Sequence, residues 1–277
     1  MQLLTPQTNW DYELIDSGKQ NRLERFRRFL LARPDPQCIW DQTEPKNTWD
    51  SADAIFKEKT WNIINPELKA NWTISWKDFL FKLHLTPFKH TGLFPEQSTH
   101  WEKFLSLSNK KLKILNLFAY TGAASIILAK LGHQITHVDA SKPSIAWAKD
   151  NQTLNTLPDD SIRWILDDAH KFVKREIKRS KTYDALILDP PAFGHSPEGS
   201  TWKFSQDLPN LLKDCAQILP QKPDFLVLNA YATNTSALAI HNLCQDIFPK
   251  LSIEFGELCL KQKSGRLIST GSFVRSF

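Results

Sequence analysis

Glycine is scarce in this chain, nine in 277 residues, and nowhere does a G-x-G-x-x-G occur. That absence removes the glycine fingerprint for a dinucleotide pyrophosphate and makes a nicotinamide enzyme the weaker option. The four cysteines, Cys38, Cys215, Cys244 and Cys259, are widely scattered with no C-x-x-C. Neither a disulfide frame nor a zinc site is suggested, no metal is expected, and the thiols read as reduced and buried. No apolar run approaches the about 20 residues that span a bilayer. The first residues, including Asn9, Asp11 and Glu13, lack a signal-peptide core, so a cytoplasmic protein without a membrane partner is expected. Internal repeats, coiled-coil heptads and low-complexity tracts are also missing, which sets aside solenoids and disordered tails. A net charge of +5 favours an anionic partner only weakly.

What is present suits one large domain, or one domain with a smaller one appended. Composition divides near residue 90. Six of the ten tryptophans precede it (Trp10, Trp40, Trp49, Trp61, Trp72, Trp76), among short runs such as Cys38-Ile39-Trp40, Trp72 to Trp76 and Phe79 to Leu83. The alternation in these runs and the breaks around Pro34, Pro36, Pro45 and Pro66 predict small antiparallel strands, with one helical turn near Ala52 to Lys57. Residues 1–90 are therefore expected to form a small β-rich (α+β) domain whose tryptophans supply its core.

Residues 91–277 change rhythm. Strands are predicted at Lys113 to Phe118, Gln134 to Val138, Arg163 to Leu166, Ala185 to Leu188 and Phe225 to Leu228. Helices are predicted at Gly122 to Leu131, Ser141 to Leu154, His170 to Arg179 and near Leu208 to Leu219, with Ser141 as a cap and Pro143 in the first turn. Alternation of this kind gives an α/β fold, a doubly wound Rossmann-like sheet with helices on both faces.

Chemistry gathers at the predicted strand ends. Ala185 to Leu188 closes with Asp189-Pro190-Pro191-Ala192-Phe193. The prolines remove donors and fix φ, leaving carbonyl oxygens outward, and the ring offers a stacking face for a planar base. Taken alone, the segment reads as an ordinary strand-ending turn. Asn116 to Ser125 leaves the first predicted strand through small residues that let backbone approach a ligand. Seventeen residues after Gly122, Asp139 ends the second strand in Thr136-His137-Val138-Asp139-Ala140-Ser141, where a carboxylate can accept from ribose hydroxyls. Asp167-Asp168-Ala169 follows the third, where an acid can accept from an adenine amino group. Asp139 and Asp168 each read equally as helix caps. Three acidic strand ends with one small-residue turn are far more specific than any one, and the combination points to S-adenosylmethionine.

These motifs carry a family resemblance. N-L-F-A-Y-T-G at 116–122, V-D-A-S at 138–141 and D-P-P-x-F at 189–193 resemble those of class I S-adenosylmethionine-dependent methyltransferases, specifically the bacterial 23S ribosomal RNA group. Upstream, Leu14 to Gly18, Arg22 to Phe26 and Arg33 to Gln37 are similar to the segment preceding the catalytic domain in that group. The resemblance implies that Thr91, Phe94 and Gln97 help hold the cofactor and that Asn116, Phe118, Ala119, Thr121 and Gly122 lie along its methionine part. It further implies that Asp139, with Ala140 and Ser141, binds the ribose and that Asp168 and Ala169 lie by the adenine. Asp189, Pro190, Pro191 and Phe193 then face the methyl acceptor, with ribosomal RNA as the partner.

One departure bears on mechanism. Members that methylate cytosine carbon 5 need a thiolate, typically from a cysteine just after a later strand. Here Phe225 to Leu228 runs into Asn229-Ala230-Tyr231-Ala232-Thr233-Asn234, with none. Transfer to a nitrogen, whose lone pair needs only alignment, fits better. Asn229 and Tyr231 are candidates to orient the base, or equally plain structural residues. Two basic sets are candidate RNA contacts: Lys171, Lys174, Arg175, Lys178, Arg179 and Lys181, for which a solvated helix face is the favoured explanation, and Arg22, Arg25, Arg27, Arg28 and Arg33, the better phosphate binders. Trp202 reads as a stacking wall or as an anchor for the next helix, and His195, in the loop Gly194 to Gly199, as an exposed histidine or a general base. A protein or small-molecule acceptor, or a silent RNA-binding factor on the same fold, remains open at this point.

Overall fold

The computed structural model describes residues 1–7, 9–107, 110–195 and 201–277, with His195 described by its backbone alone. The chain forms two compact units, residues 5–99 with 259–270, and residues 1–4, 100–258 and 271–277.

In chain order β1 (Gln2–Leu4) comes first. The smaller unit follows with β2 (Tyr12–Gly18), β3 (Asn21–Phe26), β4 (Phe29–Pro34), α1 (Lys46–Asp50), β5 (Ala54–Lys57), β6 (Thr60–Ile63), β7 (Trp72–Trp76) and β8 (Phe79–Leu83). Strands β2 to β6 form one sheet in sequence order, and β7 pairs with β8. All pairings are antiparallel except β4 with β5, which is parallel. Ala52 to Lys57 is therefore mostly strand β5 rather than a helical turn, because Ala54 and Ile55 pair with Leu31 and Ala32 on one side and Ala54 to Lys57 pair with β6 on the other. The helical turn lies earlier, at Lys46–Asp50. Cys38-Ile39-Trp40 is not a strand; Cys38 and Trp40 instead offer carbonyls to Gln20 and Lys19.

Asp16 organises this unit. Its buried carboxylate accepts from the backbone of Thr43 at 3.1 Å and Glu44 at 2.9 Å, the Trp49 indole at 2.9 Å and the Gln262 amide at 2.7 Å. Gly18 passes so close to the same loop that a Cβ there would stand 2.5 Å from the Gln42 nitrogen. Trp72 and Trp76 are core, as expected of the tryptophans here, whereas Trp10, Trp40, Trp49 and Trp61 are only half-buried. Trp72 and Trp76 pack on Phe29 and Phe79, and Trp40 and Trp61 donate to the carbonyls of Ser17 and Thr86.

The larger unit continues with α2 (Ser98–Leu105), β9 (Lys113–Leu117), α3 (Ala123–Lys130), β10 (Gln134–Asp139), α4 (Lys142–Leu154), β11 (Ile162–Leu166) and α5 (Ala169–Lys178). It then runs through β12 (Ala185–Leu188), β13 (Phe193–His195), β14 (Thr201–Lys203), α6 (Phe204–Gln217), β15 (Phe225–Ala230), α7 (Ala237–Ile247), β16 (Glu254–Lys261) and β17 (Leu267–Ser276). The main sheet has the order β1-β16-β17-β15-β12-β9-β10-β11. Strands β15, β12, β9, β10 and β11 are mutually parallel, and β17 runs antiparallel to β15. β12 and β15 are buried at every position, the pattern of strands covered on both faces. Helices α5 and α6 cover the core cluster around Leu115, Leu186 and Leu226. Ser141, Asp168 and Ser236 cap α4, α5 and α7 through bonds to backbone N–H groups three residues on. Among the described residues no helix is long and apolar enough to cross a membrane.

The chain leaves β9 towards β10 and β11, then returns through α5 to place β12 on the opposite side of β9. The carboxyl ends of β9 and β12 thus flank the point where strand order reverses, the position at which open α/β sheets bind ligands.

Candidate active site

At that reversal Leu117 ends β9 and Asp189 follows β12. They are joined directly: the Asp189 N–H donates to the Leu117 carbonyl at 3.3 Å. The segment leaving β9 turns sharply. Phe118, Tyr120 and Gly122 have φ of 55°, 50° and 82°, so alternate residues are left-handed. Two of them are not glycine, which marks a turn held in place by its surroundings. Gly122 leads into α3, and a Cβ there would come 3.0 Å from that of Ala148.

The holding groups are on the next strand. The Asp139 carboxylate accepts from the Tyr120 N–H at 2.8 Å through one oxygen and from the Ser141 N–H at 2.8 Å through the other. Burial raises its pKa, against the pull of these two donors. Asp139 therefore ties the turn after β9 to the end of β10. It does not cap α4; Ser141 does, accepting from Ser144. Ala119 adds a bond to the Val138 carbonyl at 3.1 Å, and Thr121, buried, offers its carbonyl to Asn151 at 2.9 Å.

Beneath the turn runs a buried polar chain. Asn116 donates through its amide to Ser125 Oγ at 2.9 Å, and Ser125 Oγ meets His137 Nδ1 at 3.0 Å. Burial pushes His137 down to about 3, so its ring is neutral at physiological pH. The Asn116 side chain thus supports the turn from below.

Asp168 caps α5 through Oδ1, which accepts from the Lys171 N–H at 2.9 Å. Asp167 pairs with Arg175. Leu166, at the end of β11 and in register with Asp139, is 53% exposed. This exposed leucine, paired with Asp139 and two residues before Asp168, offers an apolar contact beside hydrogen-bond acceptors. The sequence reading passed over it, since a leucine ending an apolar run signals only a strand.

On the other side of β9 lies the Asp-Pro-Pro segment. Asp189 is half-buried, Pro190 buried, Pro191 exposed and Phe193 54% exposed. Not all of its carbonyls are left outward and unpaired: the Trp202 indole donates to the Pro191 carbonyl at 2.7 Å. Trp202 lies on β14, opposite Gly194 of β13, and its ring lies 5.1 Å from that of Phe118. Phe118, Trp202 and Pro191 thus join the two sides of the reversal. The hairpin of β13 and β14 replaces part of the expected loop; residues 196–200 of that loop and the His195 side chain lie outside the described residues.

Asn229 is buried at the end of β15, its Oδ1 held 2.9 Å from Nε2 of buried His100. Thr91, Phe94 and Gln97 belong to the smaller unit. Thr91 is fully buried and offers its carbonyl to His84, Phe94 lies 5.4 Å from the His90 ring, and Gln97 ends a short 3-10 turn. Cys215 and Cys244 are fully buried in α6 and α7, and burial pushes both thiols up, Cys244 to about 12.

Residues 57–238 match the family model described as S-adenosylmethionine-dependent methyltransferase. Among curated proteins, the chain is 30% identical over 220 residues to the ribosomal RNA large subunit methyltransferase K/L of Shewanella sp. strain ANA-3. It is 32% identical over 212 residues to that of Shewanella baltica strain OS155. Each alignment takes in 74% of this chain but 28% of the relative. Among solved structures, a SAM-dependent methyltransferase from Agrobacterium tumefaciens superposes with a TM-score of 0.95 at 37% identity, covering 100% of this chain and 93% of that one. A methyltransferase complexed with S-adenosylhomocysteine shares the fold, with a TM-score of 0.76 at 17% identity over 98% of this chain and 76% of that one.

Proposed function

The chain belongs to the S-adenosylmethionine-dependent methyltransferases, and from that premise we propose that it methylates a base nitrogen of ribosomal RNA. Ribosomal RNA is the substrate class in the names of the curated relatives, of whose length the chain spans 28%. The donor side fits a nucleoside sulfonium: carboxylates for hydroxyl and amino groups, and an exposed leucine beside them for a base.

Asp139 and the neighbouring Ala140 and Ser141 receive the ribose. Leu166 flanks the adenine, with Asp168 and Ala169 at its edge. The turn Asn116 to Gly122, fixed by Asp139 from one side and by Ser125 and His137 from below, receives the methionine part. For Thr91, Phe94 and Gln97, which belong to the smaller unit, the resemblance alone supports a cofactor role. When bound, S-adenosylmethionine supplies a methyl group activated by the sulfonium.

The acceptor side is Asp189 to Phe193. An exocyclic or ring N–H of the base donates to the Asp189 carboxylate or the Pro190 carbonyl, which turns the nitrogen lone pair towards the donor. Phe193, exposed, stacks on the base. Positioning supplies most of the rate, and Asp189 holds the proton that the nitrogen sheds.

One observation carries the choice of nitrogen over carbon: the thiols in the segments either side of β15 are buried in the core with raised pKa values, the opposite of a nucleophilic cysteine. The test is Asp189→Ala assayed with labelled S-adenosylmethionine and unmodified ribosomal RNA. Methyl transfer falls at least 100-fold while calorimetry shows S-adenosylhomocysteine binding within about 3-fold of wild type. Full transfer by the variant contradicts the role given to Asp189.

A further inference from the structure

The structure reverses the order of the two basic surfaces. Of the arginines at 22–33, Arg22 and Arg33 turn inward onto buried Glu24, with Arg33 donating to it at 2.9 Å and Arg22 lying 3.2 Å from it. Arg25 and Arg28 pair with Glu13 and Glu67. Four of the five guanidiniums thus already have acidic partners.

Helix α5 is different. Ala169, Phe172, Val173 and Glu176 are buried, and Lys171, Lys174, Arg175, Lys178 and Arg179 are exposed. Glu176, the acidic residue within the helix, is fully buried and bonded to Tyr183, Arg163 and Arg179. Asp167 is taken by Arg175, and Asp214 by His170. Lys174, Lys178 and Lys181 have no ion-pair partner among the described residues. With the neighbouring acids used internally, the charges of Lys174, Lys178 and Lys181 are left to solvent counterions or to an external polyanion that displaces them.

The helix also points the right way. Its cap, Asp168, lies at the carboxyl end of the sheet beside the proposed cofactor site, and Lys171, Lys174 and Lys178 follow at spacings that share one side of a helix. They rise about 10 Å along the axis, a ridge leading away from the site.

We infer that the outer face of α5, through Lys174, Lys178 and the following Lys181, binds the phosphate backbone of the RNA whose base enters the site. The inference rests on the RNA reading above. Phosphate contacts of this kind carry no sequence information and act through counterion release, so they are read from salt dependence.

The experiment compares wild type with a Lys174→Glu, Lys178→Glu, Lys181→Glu triple variant, using ribosomal RNA from cells lacking the protein as probe across a salt series. A second triple variant, Lys57→Glu, Lys59→Glu, Lys77→Glu, changes net charge equally on exposed lysines of the smaller unit. The α5 variant binds RNA at least 10-fold more weakly at 0.1 M salt. Its log-affinity slope against log salt falls by about 2, from about 0.7 to 0.9 per lost contact. Its affinity for S-adenosylhomocysteine is unchanged, and the second variant loses much less. An unchanged slope in the α5 variant, or equal loss in both, overturns the surface while leaving the RNA reading intact. Failure of wild type to bind the RNA overturns both.

Discussion

The indole N–H of Trp202 donates to the carbonyl of Pro191 at 2.7 Å, and the same ring packs 5.1 Å from Phe118. One side chain therefore holds the segment proposed to face the acceptor against the turn proposed to face the donor. The two roles separate by substitution. Trp202→Phe keeps a ring against Phe118 and loses the hydrogen bond, a change of about 1 kcal/mol that is expected to lower methyl transfer about 5-fold. Calorimetric affinity for S-adenosylhomocysteine stays within 2-fold. Trp202→Ala removes the ring as well and lowers both quantities. Equal transfer rates for Trp202→Phe and wild type would show that the bond positions nothing.

Asp139 ties Tyr120 to Ser141 by two 2.8 Å bonds. Asp139→Ala leaves both N–H groups without that acceptor and removes the proposed ribose acceptor, so affinity for S-adenosylhomocysteine should fall at least 30-fold, about 2 kcal/mol for bonds to a charged group. Because burial raises its pKa, the charged form is lost on acidification earlier than for an exposed carboxylate. Wild-type affinity should therefore weaken as pH falls through a range above the usual one for aspartate, and Asp139→Ala should show no such step. Isothermal titration across the acid range reads both.

Glu24 sits fully buried between Arg22, Arg33 and Tyr12. Burial is the largest influence and acts upward, but the two guanidiniums and the bonds from Arg33 and Tyr12 outweigh it and hold the carboxyl at about 2. A lowered folded pKa stabilises above the ordinary value of 4.5 and loses that contribution as pH falls towards 2. Glu24→Gln leaves buried Arg33 without its carboxylate, while Arg22 keeps Asp35 at 3.7 Å, and should cost about 3 kcal/mol at pH 7. Urea unfolding at pH 7 and at pH 3 should show the gap between variant and wild type narrowing in acid. A constant gap would mean that Glu24 acts through packing alone.

Cys215 and Cys244 should be dispensable for chemistry. Cys215→Ala and Cys244→Ala each lose some stability, as truncations at fully buried positions do, yet retain methyl transfer per folded molecule. Loss of transfer in either, with the fold intact by circular dichroism, would reopen a covalent route.

Much of the larger unit was readable from residue order. β12 and most of β15 are apolar runs, and burial on both faces is what such runs encode, while β9 and β10 are short β-prone segments bounded by turn formers. The end of β12 was equally plain, since Pro190 and Pro191 cannot continue a central strand. β16 and β17 were missed; polar residues such as Glu257, Ser269 and Ser272 interrupt them, and only sheet pairing makes them strands. Ala52 to Lys57 misled because its helix-prone start yields to pairing with β4. The arginines misled for the same kind of reason. Arg22 pairs across β3 and β4 with Arg33, and Glu24, two residues along, faces the same way. No spacing along the chain discloses that register, so two cations turned onto Glu24 read as a free basic surface. Trp202 was ambiguous until its indole had a partner.

The most direct test of the account is nucleoside analysis of ribosomal RNA after labelled-methyl transfer by the purified protein, with RNA from cells lacking it as acceptor. Label should enter the RNA and elute as a base methylated on nitrogen. Label recovered as 5-methylcytosine would contradict the nitrogen assignment, and cofactor binding with no label in RNA would contradict the substrate.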